Sequence, residues 1–151
     1  MRLHYLMLFL HIFGVVVWVG GMLFAHVCLR PSLDILAPSD RLTLMRAVLG
    51  RFFSLVWAAM TVTLVSGAWM FAEVGVRHAP GAWHVMALTG LVMASVFVSI
   101  WFGPWPALTL AVSAQDWAAG AGALARIRQR VGFNLVLGLA TIALGTLGLG
   151  L

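Results

Sequence analysis

Long apolar stretches dominate the chain, separated by short clusters of arginine, proline and acidic residues. Uncharged runs cover 3–29, 52–72, 79–115 and 131–151. Each is at least as long as the ~20 residues a helix needs to cross a bilayer. The third is too long for one span, and Pro104 and Pro106 cut it near its far end. The pattern predicts four transmembrane helices, over 3–29, 50–74, 81–103 and 130–150. The expected fold is all-α, an integral membrane four-helix bundle forming a single domain over 1–151. The first run is too long for a cleaved signal peptide, and no small-x-small site follows it.

Composition agrees: 63% of residues are hydrophobic and 9% charged, a balance no ordinary soluble domain has. The formal charge of +5 comes from nine arginines, with no lysine. Seven of them, Arg30, Arg41, Arg46, Arg51, Arg126, Arg128 and Arg130, fall in or beside the first and third connections, against Arg2 and Arg77 on the other side. This is the positive-inside bias. It places those two connections in the cytoplasm and both termini outside, and no nucleic-acid partner is expected. The lone Cys28 excludes an internal disulfide.

The two halves carry a weak parallel helix-pair repeat. "LRPSLDILAPSDRLTLMRAVLGR" after the first helix matches "PWPALTLAVSAQDWAAGAGALARIRQR" after the third, with Pro31 corresponding to Pro106. Ser39 and Ser113 are expected helix N-caps, with Asp40 and Asp116 in the first turn. The residues that follow read either as amphipathic surface helices or as extensions of helices 2 and 4. In helix 4, Thr141 and Gly145 are spaced for close helix contact, within the chain or between two copies.

Candidate chemistry centres on histidine. Along helix 1, His4, His11, Trp18 and Ala25 form one period-seven stripe, and Met7, Gly14, Gly21 and Cys28 another beside it. Phe9, Val16 and Leu23 are left to face lipid. Glycines on the packed side let a second helix, or a flat ligand, come close to the backbone. His11 lies about two and a half turns inside the membrane, where an ionisable side chain is a functional candidate. His84 opens helix 3, and its depth matches that of His11 to ~3 Å. His4 and His78 read as interfacial residues and His26 as a helix-end residue. Trp69, Trp83, Trp105 and Trp117 read as interfacial anchors and Trp18 as packing.

"LHIFGVVVWVGGMLF", with His11, Trp18, Gly20 and Gly21, resembles the first-helix signature of CopD-type membrane proteins, the family named for copper resistance. "LRP" and "RFFSLVWAAMTVTLVSG" resemble it too, although the additional helices of full-length CopD proteins are missing here. The layout is also similar to the related HemJ membrane proteins, implicated in protoporphyrinogen oxidation with bound b-type haem. That resemblance implies a role for His11. The lysine important in that family has no counterpart, Met86 standing near its place. The leading expectation is a b-type haem protein of redox or haem-handling role. Its haem sits between helices 1 and 3 near the outer face, with His11 and His84 as axial ligands and Gly14 and Trp18 lining the site. A quinone or another redox partner would follow, and with it membrane oxidoreductase activity. The alternative is copper binding or uptake through His11, His84, His4 and Met7. A cofactor-free assembly subunit is the third reading. The family resemblance implies a bacterial inner membrane, with both termini periplasmic.

Overall fold

The computed structural model describes residues 2–147, and among these every regular element is helical. Helix α1 (Arg2–Phe24) runs into a π-helical stretch, Ala25–Leu29, then a short α-helical turn, Arg30–Ser32, and a 3-10 turn, Leu33–Ile35. Helix α2 (Pro38–Val74) returns the chain, and a turn at Gly75 (φ +84°) leads to α3 (Gly81–Phe102). Helix α4 (Pro104–Ser113) continues α3 beyond a kink, and α5 (Trp117–Thr146) returns again. The predicted continuation of the last helix to 150 lies outside the described residues. Among the described residues three segments, Arg2–Ile35, Pro38–Val74 and Gly81–Ser113, are long and apolar enough to cross a membrane. The fourth, α5, carries Arg126, Arg128 and Arg130 in its first half.

The connections after the first and third spans are extensions of the long helices, not separate surface helices. The 37 residues of α2 rise about 55 Å, well beyond the ~30 Å hydrocarbon layer. The arginine-bearing end therefore stands proud of the apolar zone. The predicted N-caps shift accordingly. Ala37 precedes α2 without a side-chain cap, and Ser39 lies in its first turn. Ser113 ends α4, and the capping residue of α5 is Asp116, which accepts from the Ala119 N–H at 3.0 Å.

Both breaks in the outgoing helices follow from proline. Pro31 has no N–H, and its ring crowds the carbonyl of Val27. The wider π turn spans that point, with the Arg30 N–H reaching the Ala25 carbonyl. At the second break the Gly103 N–H bonds to the Ile100 carbonyl at 3.3 Å, one residue short of α-helical register. The Ser99 carbonyl is thereby released and accepts from Arg130 at 2.8 Å. A Cβ on Gly103 would lie 2.7 Å from that oxygen, so the kink requires glycine. The two helix pairs thus share one plan, a proline-broken helix and a long return helix, although the second break falls before Pro104, and Pro106, the expected counterpart of Pro31, lies inside α4.

Helix α1 packs mainly along α2, while α5 packs along α3 and α4 and touches α1 and α2. Phe53, Val56, Ile100, Leu108 and Ile127 meet at the centre, each at most 1% exposed. Around them Phe53, Trp57, Phe97, Trp101 and Trp105 form an aromatic cluster, mostly edge to face, with Phe53 and Trp105 5.2 Å apart. Trp105 is thus a packing residue in that cluster, and Trp18 is buried as expected. Thr141 bonds to Thr89 at 2.9 Å, and Gly145 lies on Met86, so the small residues of the last helix serve contact within the chain.

The glycines of α1 divide sharply. A Cβ on Gly14 would lie 2.2 Å from Thr63 Oγ1 and 2.9 Å from the Ala59 carbonyl, whereas one on Gly20 meets nothing within 4 Å. Gly14→Ala should therefore force α1 and α2 apart and destabilise the protein by about 1–3 kcal/mol. Gly20→Ala should be neutral or stabilise by up to ~1 kcal/mol through helix propensity. Thermal unfolding of the two variants in one detergent tests this, and equal melting temperatures would contradict the packing.

Candidate functional site

The seam between α1 and α2 holds the histidines of the first helix. The helices are antiparallel and in register: His4 meets Glu73, His11 meets Ser66, and Gly14 meets Thr63. Met7, one turn from each histidine, falls at the level of Met70, which is 9% exposed. The seam closes because Gly14 and Gly67 lack side chains. Gly14 receives Thr63, and a Cβ on Gly67 would lie 3.1 Å from His11 Cε1.

His11 is half-buried, and its Nδ1 lies 3.0 Å from the Thr63 carbonyl and 3.3 Å from Ser66 Oγ. A carbonyl only accepts, so Nδ1 carries the proton and Nε2 holds a free lone pair. The Ser66 hydroxyl donates to the Val62 carbonyl at 2.6 Å, leaving its lone pairs for His11. His4 has the same arrangement, with Nδ1 2.6 Å from the Glu73 carboxylate. His84 Nδ1 donates to the Pro80 carbonyl at 3.3 Å. Metal-binding imidazoles are oriented in this way, one nitrogen donating to an oxygen and the other turned to the metal. The Thr63 hydroxyl, beside the carbonyl that holds His11, is buried with no partner among the described residues.

His11 and His84 are not brought together. His11 is turned onto Thr63, Ser66 and Gly67 of α2. His84 is exposed on α3, against its own helix start and the edge of Phe71, 5.1 Å away. The packing explains it: α1 lies along α2, whereas α3 lies along α5. The glycine wall expected to admit a flat ligand is filled as well, by Thr63 at Gly14 and by Phe52 at Gly21. Trp18, the other residue assigned to a haem slot, is 3% exposed in the core. Nothing in this arrangement supports haem between the first and third helices. Among the described residues no three His, Cys, Asp or Glu side chains converge as a metal cage. His78 lies in the turn beside Gly75, His26 packs against Gly132, and Cys28 is exposed.

Four contributors were missed from sequence: Glu73, Thr63, Ser66 and Met70. A signal existed. Ala59, Thr63, Ser66 and Met70 recur at helical spacing, and Glu73, the only glutamate, continues them. What was lacking was the pairing of that stripe with α1.

The copper resistance protein D (CopD) family model matches residues 46–147, more than half of the chain. This protein belongs to the CopD family. The match covers most of α2 and all of α3, α4 and α5; His4, Met7 and His11 on α1 precede it. No curated protein and no solved structure matches the chain. With its membrane-spanning helices, this CopD protein is a multi-pass membrane protein in contact with the lipid bilayer.

The tautomer follows from the bonding. In nitrogen-15 spectra of labelled protein, His11 in its neutral form should show a protonated Nδ1 and a bare Nε2. Gly67→Ala should push the ring off the Thr63 carbonyl and shift the Nδ1 resonance. A protonated Nε2 in wild type would overturn the assignment.

Proposed function

We propose that this CopD-family protein binds copper as Cu(I) and hands it along the outer half of the α1–α2 seam, the metal being cargo and not a resident cofactor. One observation carries the reading. His4, Met7 and His11 share one face of α1, and both imidazoles donate Nδ1–H to oxygen on α2, which frees Nε2. Neighbours at i+3 and i+4 stand ~5–6 Å apart at Cβ, so His4 with Met7 and Met7 with His11 form two successive imidazole–thioether pairs. Thioether and imidazole suit Cu(I). The lack of a closed cage among the described residues fits cargo, which must bind well enough to enter and weakly enough to leave. Met70, level with Met7, supplies a second thioether at the same depth. His84 and Gly14 have lesser parts, His84 as an exposed imidazole at the outer rim and Gly14 as the contact that sets the seam's width.

Titration of the purified, metal-free protein with Cu(I) against a chromophoric Cu(I) chelator tests this. Wild type should withdraw copper from the chelator. Met7→Leu with His11→Asn should retain it at least about tenfold less well, since metal sites commonly lose 10–100-fold when a supporting group is removed. Equal affinity in wild type and variant would refute the site. A protein that purifies red, with a Soret band lost in His11→Ala, would replace copper by haem.

The reading includes an orientation in a bacterial inner membrane, with the arginine-bearing end cytoplasmic and both termini periplasmic. In a Cys28→Ser background, Val76→Cys should react with an impermeant thiol reagent in intact cells and Gly122→Cys should not. The reverse pattern would invert the topology.

A further inference from the structure

At the arginine-bearing end, a cleft of about 360 Å³ opens between the π-helical turn of α1 and the first half of α5. It is lined by His26, Arg30, Ala125, Arg128, Gln129 and Gly132. We propose that this cleft binds the phosphodiester headgroup of an anionic phospholipid.

Three observations converge. The first is unbalanced charge. Arg30 and Arg41 lie close enough to Arg128 that, after burial, their repulsion lowers its proton affinity, opposed only by Asp34. Asp34 is already engaged with Arg41 at 3.3 Å. Arg30 and Arg128 have no carboxylate partner among the described residues. Arg30, exposed, and Arg128, half-buried, repel one another across the cleft until an anion lies between them, and their fork geometry matches the two free oxygens of a phosphodiester.

The second is shape. The volume falls within the ~300–1,000 Å³ of small-ligand sites. Gly132 keeps one wall low, for a Cβ there would lie 3.3 Å from His26 Cε1. The π turn, forced by Pro31, widens α1 where the cleft begins. Gln129 and the imidazole of His26 add hydrogen-bonding groups for the headgroup.

The third is depth. The 23 residues of α1 rise about 35 Å, so His26 and Arg30 follow directly on a full crossing of the ~30 Å hydrocarbon layer. Basic pockets between helices at this level are where anionic headgroups are held. Apolar residues point outward on both flanks, Phe24 and Val27 on α1 and Phe133 and Val136 on α5, all more than half exposed. A lipid whose phosphate sits in the cleft can lay its acyl chains along them. A free phosphate would have no use for those flanks.

The test uses full-length protein in a neutral detergent, with added phosphatidylglycerol, phosphatidylcholine or inorganic phosphate. Phosphatidylglycerol should remain bound in native mass spectra and raise the melting temperature, and the other two should not. Arg30→Gln with Arg128→Gln should weaken retention roughly thirty-fold, at ~1 kcal/mol per basic residue. Arg51→Gln with Arg126→Gln removes as much charge from the same end and should leave retention unchanged. Ala125→Trp fills the cleft without removing charge and should also abolish retention. The proposal is overturned if phosphatidylcholine binds equally, if inorganic phosphate alone gives the full stabilisation, or if the two double variants behave alike.

Discussion

Inside a bilayer no water is available to satisfy the backbone, so each donor and acceptor must find its partner within the protein. The long unbroken helices answer that requirement over most of the chain. The informative places are those where the helical ladder fails. Where the kink before Pro104 frees the Ser99 carbonyl, Arg130 reaches across from α5 to fill it. Elsewhere the Met93 carbonyl takes a bond from the buried Asn134 side chain at 2.9 Å, and the Thr63 carbonyl takes one from His11. Polar side chains in this bundle are thus chiefly partners to backbone oxygen; most serines and threonines bond back to their own helix, while His11, Arg130 and Asn134 tie one helix to the next.

His11 follows from the same requirement. Bonding Nδ1 to a carbonyl satisfies half of a buried imidazole and leaves Nε2 available. The bond that offsets the cost of burying the residue therefore also leaves its second ring nitrogen without a partner among the described residues. Gly14 and Gly67 set the distance at which this can occur. Lipid tails give helices no hydrophobic reason to associate, so the α1–α2 contact rests on close packing, and a single methyl group at Gly14 would disturb it.

Proline gives the two ends of the bundle different characters. Both outgoing helices are broken near the arginine-bearing end, one by a π turn and one by a kink. Seven arginines gather there against three aspartates, Asp34, Asp40 and Asp116, and Asp34 pairs with Arg41. At the opposite end α2 and α3 are joined by a short turn at Gly75, and His4 pairs with Glu73. The contrast between an end richer in histidine and an end richer in arginine is already present in the residue pattern.

The helices, their number, their apolar faces and the end where charge collects were legible in the chain, because bilayer thickness and helical rise turn a hydrophobic run directly into a span. Phe9, Val16 and Leu23 face outward, as their spacing on α1 implied. The CopD resemblance was legible as well, and of the motifs that carried it RFFSLVWAAMTVTLVSG, on the second helix, lies within the matched residues. The neighbours of each helix were not. His11 and His84 have matching depths, which suggests a pair, but depth is one coordinate and packing supplies the others. Side-chain volume decides which helices touch, and Gly14 against Thr63 commits α1 to α2, leaving α3 to α5. The stripe of Thr63, Ser66, Met70 and Glu73 gains its meaning only from that pairing. Pattern along a chain determines what each helix can offer, and only close packing between helices decides which of those groups meet.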